Sequence, residues 1–293
     1  MFCVNQRTIK KEVEVKGIGL HTGQPVKINL IPSSAYEGIN FVKNGIVIPA
    51  NVEYATAFEF STTLSRNGVE VRTVEHLMAA LYFTGIDNIY IEIEGEELPI
   101  LDGSAIEFIR SIESAGIKIL KEEKVYAVLN KEVYVKEEEK FISAVPSLQF
   151  SATYHARYNN RIIGDKKYTF ANFKEDYENV AMARTYCFLE EVELLQKMGL
   201  AKGGSLENAV VFEGDTVLNP EGLRFEDEPV KHKVLDLIGD LYLLGFPLLA
   251  NIYSFKGGHK LNALFVKKLV EEKAFELKYP SEIKNFNSRM LVA

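Results

Sequence analysis

The chain has 293 residues, 47% hydrophobic and 26% charged, enough for one large or two ordinary domains with a sizeable core. A net charge of −7 gives no general attraction for nucleic acid, so no such partner is expected. Cys3 and Cys187 form no CxxC pair or disulfide framework, and no apolar run approaches the roughly 18–20 residues of a membrane span, so the expected setting is the cytoplasm.

The first sixty residues carry short alternating runs, EVEVK, VKINL, INFVK and GIVIP, which predict half-buried antiparallel strands. In TVEHLMAALYFTG, Val74, Leu77, Met78, Leu81 and Tyr82 fall at helical spacing, with Thr73 as N-cap and Gly85 as the stop. NIYIEIEG alternates Ile89, Ile91 and Ile93, which predicts a strand. Ser104 and Glu107 have capping-box spacing and open a second helix that ends near Gly116. The charged stretch KILKEEK then intervenes, and the order restarts. VYAVL, EVYVK, FISAV and LQFSATY read as strands, and YNNRIIGDKKYTF as an insertion. CFLEEVELLQKMG and PVKHKVLDLIGDLYLLG read as helices, LANIYSF as a strand, and a last helix follows GGHKLN. Strands, helix, strand, helix thus occur twice. The expected fold is α+β with two similar domains, 1–124 and 125–293, each a sheet packed on helices.

Five histidines offer metal or acid–base chemistry: His21, His76, His155, His232 and His259. His21 lies in the turn GIGLHTG, which lacks GxGxxG spacing, and His155 has no carboxylate near it in sequence; both read as structural. His232, Asp236 and Asp240 form a row at four-residue intervals, opposite an apolar face of Val230, Val234, Leu237 and Leu241. That row fits a solvated helix face or two ligands aimed at one ion, and the spacing alone leaves both open. His76 lies in the first turn of its helix, off the apolar stripe, and is a candidate third ligand. Glu75 beside it has the place of a general base, or of an acid favoured at a helix N-terminus. His259 follows Lys256-Gly257-Gly258 on a loop, with Asp240 a candidate partner that would orient it and raise its pKa.

Together these motifs closely resemble the zinc-dependent UDP-3-O-acyl-N-acetylglucosamine deacetylases of Gram-negative bacteria. GIGLHTG, TVEHLMAAL, PILDGSA, ARTYCF, GGSLENA, NPEGLRFEDEPVKHKVLDLIGDLYLLG and YSFKGGHKLN carry the resemblance, in the family's order and over nearly the whole chain. It implies two similar domains, each a sheet with two helices, with the helices sandwiched between the sheets. It implies that His76, His232 and Asp236 bind Zn²⁺ or Fe²⁺ and that Glu75 is the base. His259 matches a general acid or electrostatic stabiliser oriented by Asp240, and Thr185 a residue that hydrogen-bonds the oxyanion. Lys233 matches a lysine that reaches the substrate, Tyr186 stands at a sugar-packing position that is usually phenylalanine in the family, and Lys256 lies where a basic residue meets the diphosphate. The insertion, taken as residues 155–185, would form part of a passage for the acyl chain. The implied reaction removes the N-acetyl group of a UDP-linked acylated amino sugar, in lipid A biosynthesis, and a monomer is expected. Two rivals are a different metal-dependent amidase or peptidase, against which the absence of HExxH counts, and a sugar-nucleotide binding protein with a structural metal.

Overall fold

In the computed structural model, which describes residues 3–283, the alternating runs of the N-terminal half pair into one five-stranded sheet. Its strands lie in the order Val13–Ile18, Pro25–Pro32, Ile89–Glu94, Ile39–Lys43, Ile46–Pro49. All neighbours are antiparallel except Ile39–Lys43, which runs parallel to Ile89–Glu94. Period-two alternation puts Val15, Ile28, Leu30, Phe41 and Ile91 on the buried face. Helix α1 (Glu75–Thr84) is buried nearly all round, and α2 (Ile106–Ala115) buries Phe108, Ile109 and Ile112 while packing on α1 and on Val13–Ile18.

The C-terminal half builds a seven-stranded sheet around Leu248–Phe255. Lys140–Pro146 flanks that strand on one side; Tyr126–Leu129 and Ser151–Arg157 lie parallel to it on the other. Four helices follow from this half: α3 (Phe173–Ala181), α4 (Leu189–Lys197), α5 (Glu228–Leu241) and α6 (His259–Glu271). Helix α5 packs on α1, α3, α6 and two strands of its own sheet, and so joins the helices of the two halves. Gly239 makes the α1–α5 junction close: a Cβ there would overlap the Glu75 carbonyl oxygen and press on the Ala79 amide. A glycine in a helix interior costs stability, and here it lets two backbones meet.

Several local expectations are corrected. Thr73 is not the N-cap of α1. Val74 holds that position, while Thr73 adopts a left-handed backbone and its hydroxyl faces Glu97. The Ser104–Glu107 box does not form, because the Ser104 hydroxyl bonds to Asp102 and Glu107 pairs with Arg110. KILKEEK is a strand: Ile117–Glu123 pairs antiparallel with Asn5–Ile9. The stretch read as an insertion forms the hairpin Ser151–Arg157/Asp165–Phe170, which is part of the large sheet. The detached unit lies later, where Tyr186–Phe188, Val210–Glu213 and Thr216–Val217 make a separate three-stranded sheet with α4 beside it. Helix α3 and the strand Phe275–Lys278 escaped the periodicity reading.

Candidate metal centre

Where α1 meets α5, the first residues of α1 face the middle of α5. Four-residue spacing stacks His232, Asp236 and Asp240 along one side of α5. They are 1%, 4% and 1% exposed, which rules out a solvated helix face. His76 comes to the same point from α1. Its Nε2 lies 3.6 Å from Asp236 Oδ1, and His232 Nε2 lies 3.3 Å from the same oxygen. The two imidazoles meet edge to face at 89°, with centroids 5.0 Å apart. One donor atom from each of the three residues lies within 4.8 Å of the other two.

The donor chemistry fits a divalent cation. Asp236 Oδ2 accepts a hydrogen bond from Lys233 Nζ at 2.9 Å, but Oδ1 is buried with no hydrogen-bond partner. A buried carboxylate oxygen without a donor calls for an explanation, and an ion supplies one. His232 Nδ1 lies 3.0 Å from the Ala183 carbonyl, which can only accept, so Nδ1 carries the hydrogen and Nε2 keeps its lone pair. Burial pushes the His232 pKa down to about 3 against the pull of Asp236, so the ring is neutral at ordinary pH. Burial works against charge on Asp236 too, but the Lys233 ammonium beside it favours the ionised form, and the carboxyl is held well below the usual range. Neutral imidazoles and an ionised carboxylate are the forms that ligate zinc or iron.

Around this trio lies a second group. Glu75 is 3% exposed, and its Oε2 accepts the Thr62 amide at 3.0 Å. Burial raises its pKa, with His259 and His76 opposing. Asp240 accepts the Thr62 hydroxyl on Oδ1 at 2.6 Å, and on Oδ2 it meets His259 Nδ1 and Asn262 Nδ2, both at 2.8 Å. Burial disfavours charge on His259, but Asp240, helped by Glu75 and Asp236, outweighs it and lifts the pKa to about 9. The imidazole is therefore cationic at neutral pH.

The remaining candidates divide. Lys233 lies beside Asp236, its ammonium 5.5 Å from the Tyr186 ring centroid. Tyr186 faces His232 edge-on, 6.4 Å between centroids, and its hydroxyl bonds to that of Tyr158 at 3.0 Å. Thr185 precedes it, its backbone pinned between the Gly103 carbonyl and the Val210 amide. Lys256 is paired with Glu139 at 2.5 Å. His155 does have a carboxylate neighbour: its hairpin partner strand brings Asp165 to 2.5 Å of Nε2, and Tyr253 meets Nδ1 at 2.6 Å. His21 is buried, with its backbone amide on Glu97.

Thr62, Asn262 and the Ala183 carbonyl escaped the sequence reading. Asn262 stands three residues after His259 on α6, so helical spacing could have paired them. Thr62 lies 178 positions from Asp240 in a run, FSTTLS, with no pattern that marks it.

The model of the UDP-3-O-acyl N-acetylglycosamine deacetylase family matches residues 6–271. The UDP-3-O-acyl-N-acetylglucosamine deacetylase of Nautilia profundicola is 45% identical over 277 residues, covering 94% of each chain. That of Anaeromyxobacter dehalogenans is 44% identical over 277 residues, 94% of this chain and 90% of its own. That of Aquifex aeolicus is 43% identical over 267 residues, 91% of this chain and 93% of its own.

Proposed function

The chain belongs to the UDP-3-O-acyl-N-acetylglucosamine deacetylase family, hydrolases of lipid A biosynthesis, and from that premise we propose that His76, His232 and Asp236 hold the metal at which its substrate is deacetylated. The observation that carries this reading is the buried, unpartnered Asp236 Oδ1 facing two imidazole Nε2 atoms at 3.3 and 3.6 Å. Zn²⁺ is the proposed ion, and Fe²⁺ suits the same donors. When bound, such an ion supplies Lewis-acid polarisation of the acetamide carbonyl and eases loss of a proton from water.

The protein's own groups would do the rest. Glu75 has one oxygen fixed by the Thr62 amide, which leaves Oε1 to take the proton of the attacking water. Its raised pKa makes it a stronger base than an ordinary carboxylate. His259, held at Nδ1 by Asp240, keeps Nε2–H as a donor toward negative charge on the former carbonyl oxygen. The Thr185 hydroxyl adds a second donor in this scheme. Protonated Glu75 and His259 are both equipped to return a proton to the departing amine, so that acetate and a free amino sugar leave.

Lys233 and Tyr186 would contact the sugar, and Lys256 the diphosphate. The detached unit around α4 would guide the acyl chain; Leu194, Met198 and Leu206 are exposed there, and α4 buries no side chain. The segment 1–124 would supply Glu75 and His76, and 125–293 the other groups, so that neither half would be active alone. We place the reaction in the cytoplasm; no helix among the described residues is long and apolar enough to cross a membrane.

Glu75→Ala tests the division of labour. The variant is expected to keep its metal and to lose about 10²-fold or more in acetate release from the UDP-linked acylated sugar, the scale of a lost general base. Near wild-type turnover would remove Glu75 from that role.

A further inference from the structure

Resting on the reading of His76, His232 and Asp236 as metal ligands, we propose that Arg184 and Glu228 are positioning residues that fix His232 as an Nε2 donor. His232 is oriented through Nδ1, 3.0 Å from the Ala183 carbonyl. That carbonyl lies in a stretch, 183–185, that belongs to neither helix nor strand, so no regular ladder fixes it. Its neighbours are gripped one by one instead. The Met182 carbonyl accepts from the Arg224 guanidinium at 2.8 Å, the Arg184 amide donates to Glu228 Oε1 at 3.0 Å, and the Thr185 amide donates to the Gly103 carbonyl at 2.7 Å.

The densest grip is at Arg184, which is 2% exposed. Its Nε donates to Glu228 Oε1 at 2.8 Å, and Nη2 to Glu228 Oε2 at 3.2 Å and to the Gly222 carbonyl at 2.8 Å. Nη1 reaches Glu221 at 2.5 Å. Glu228, fully buried, also accepts the Arg224 amide at 2.7 Å. A buried ion pair repays its desolvation only when its remaining donors and acceptors are met, as they are here.

Placement gives the pair its consequence. Glu228 is the first residue of α5 and His232 stands about one turn later. One rigid helix therefore carries the imidazole and, through Glu228 and Arg184, anchors the residue next to the carbonyl that orients it. That single element thus links the ligand to its orienting carbonyl, beside the separate grips on Met182 and Thr185. Partners that fix the tautomer of a ligating histidine typically change metal affinity by about 10–100-fold when lost.

Glu228→Gln and Arg184→Lys test this, the second keeping a buried cation should the first fail to fold. Two readouts are needed: metal affinity by competition with a chelator, and the His232 tautomer in metal-free protein by nitrogen-15 NMR. Wild type is expected to show the Nδ1–H tautomer alone. Each variant is expected to show a tautomer mixture and to bind Zn²⁺ about 10–100-fold more weakly, with cooperative unfolding retained. Unchanged affinity and a single Nδ1–H tautomer in the variants would overturn the proposal, as would lost stability with the tautomer unchanged. Failure of wild type itself to bind Zn²⁺ would instead sink the metal reading, with the tautomer measurement still standing apart from it.

Discussion

Asp236 is held from two sides. Lys233 takes Oδ2, and Oδ1 is left facing two imidazoles with nothing to bond to. Asp240, one turn further on, is the reverse case, because Thr62, Asn262 and His259 together occupy both of its oxygens. The first carboxylate is free for an ion and the second is committed to holding a cationic imidazole. A pH dependence follows. His259 has its pKa raised to about 9, so its useful charge is present below that pH and is lost as pH rises through it. As the proposed base, Glu75 must be deprotonated, and its raised pKa places the expected acid limb above the ordinary carboxylate range. A bell-shaped profile of kcat/KM is expected. Asp240→Asn removes the main charge that lifts His259, so the alkaline limb should move to lower pH. An alkaline limb that stays in place in a folded Asp240→Asn variant would show that His259 does not set it.

At the scale of elements, the junction of α1 and α5 places Glu75 and His76 against the row on α5. Gly239 permits that approach, since a methyl group there would collide with the Glu75 carbonyl. Both collision partners are backbone, which cannot swing aside as a long side chain can. Gly239→Ala should therefore destabilise the fold by about 1–3 kcal/mol, the usual cost of overpacking, although alanine is the better helix former. It should also weaken metal binding by pushing His76 away from α5. Denaturant unfolding and chelator competition measure the two effects. A variant as stable as wild type, with unchanged affinity, would mean that the helices have slack at this crossing.

Across the whole molecule, what sequence revealed depended on the range of the interactions. Strict alternation located Ile89–Glu94, and helical spacing located α1 and α5, because each is a local pattern imposed by one buried face. The row His232, Asp236, Asp240 was visible for the same reason, although spacing alone could not distinguish a wet face from a buried one. Motifs far apart in the chain were needed to join it to His76 and His259. Thr73 read as a cap, but its hydroxyl faces Glu97; Ser104 read as half of a capping box, but its hydroxyl donates to Asp102 and accepts the Ile106 amide, with no return bond from Glu107. The strand Ile117–Glu123 was hidden because charge masks its pattern and Ile119 points to solvent. Thr62 and the Ala183 carbonyl reach the site only through the tertiary fold, and no local pattern points to them.

Acetate release from UDP-3-O-(3-hydroxyacyl)-N-acetylglucosamine by protein of measured metal content, before and after chelation, tests the proposed metal centre. About one ion per chain is expected. Activity should vanish when that ion is stripped and return on adding Zn²⁺ or Fe²⁺. Full turnover by metal-free protein would contradict that proposal.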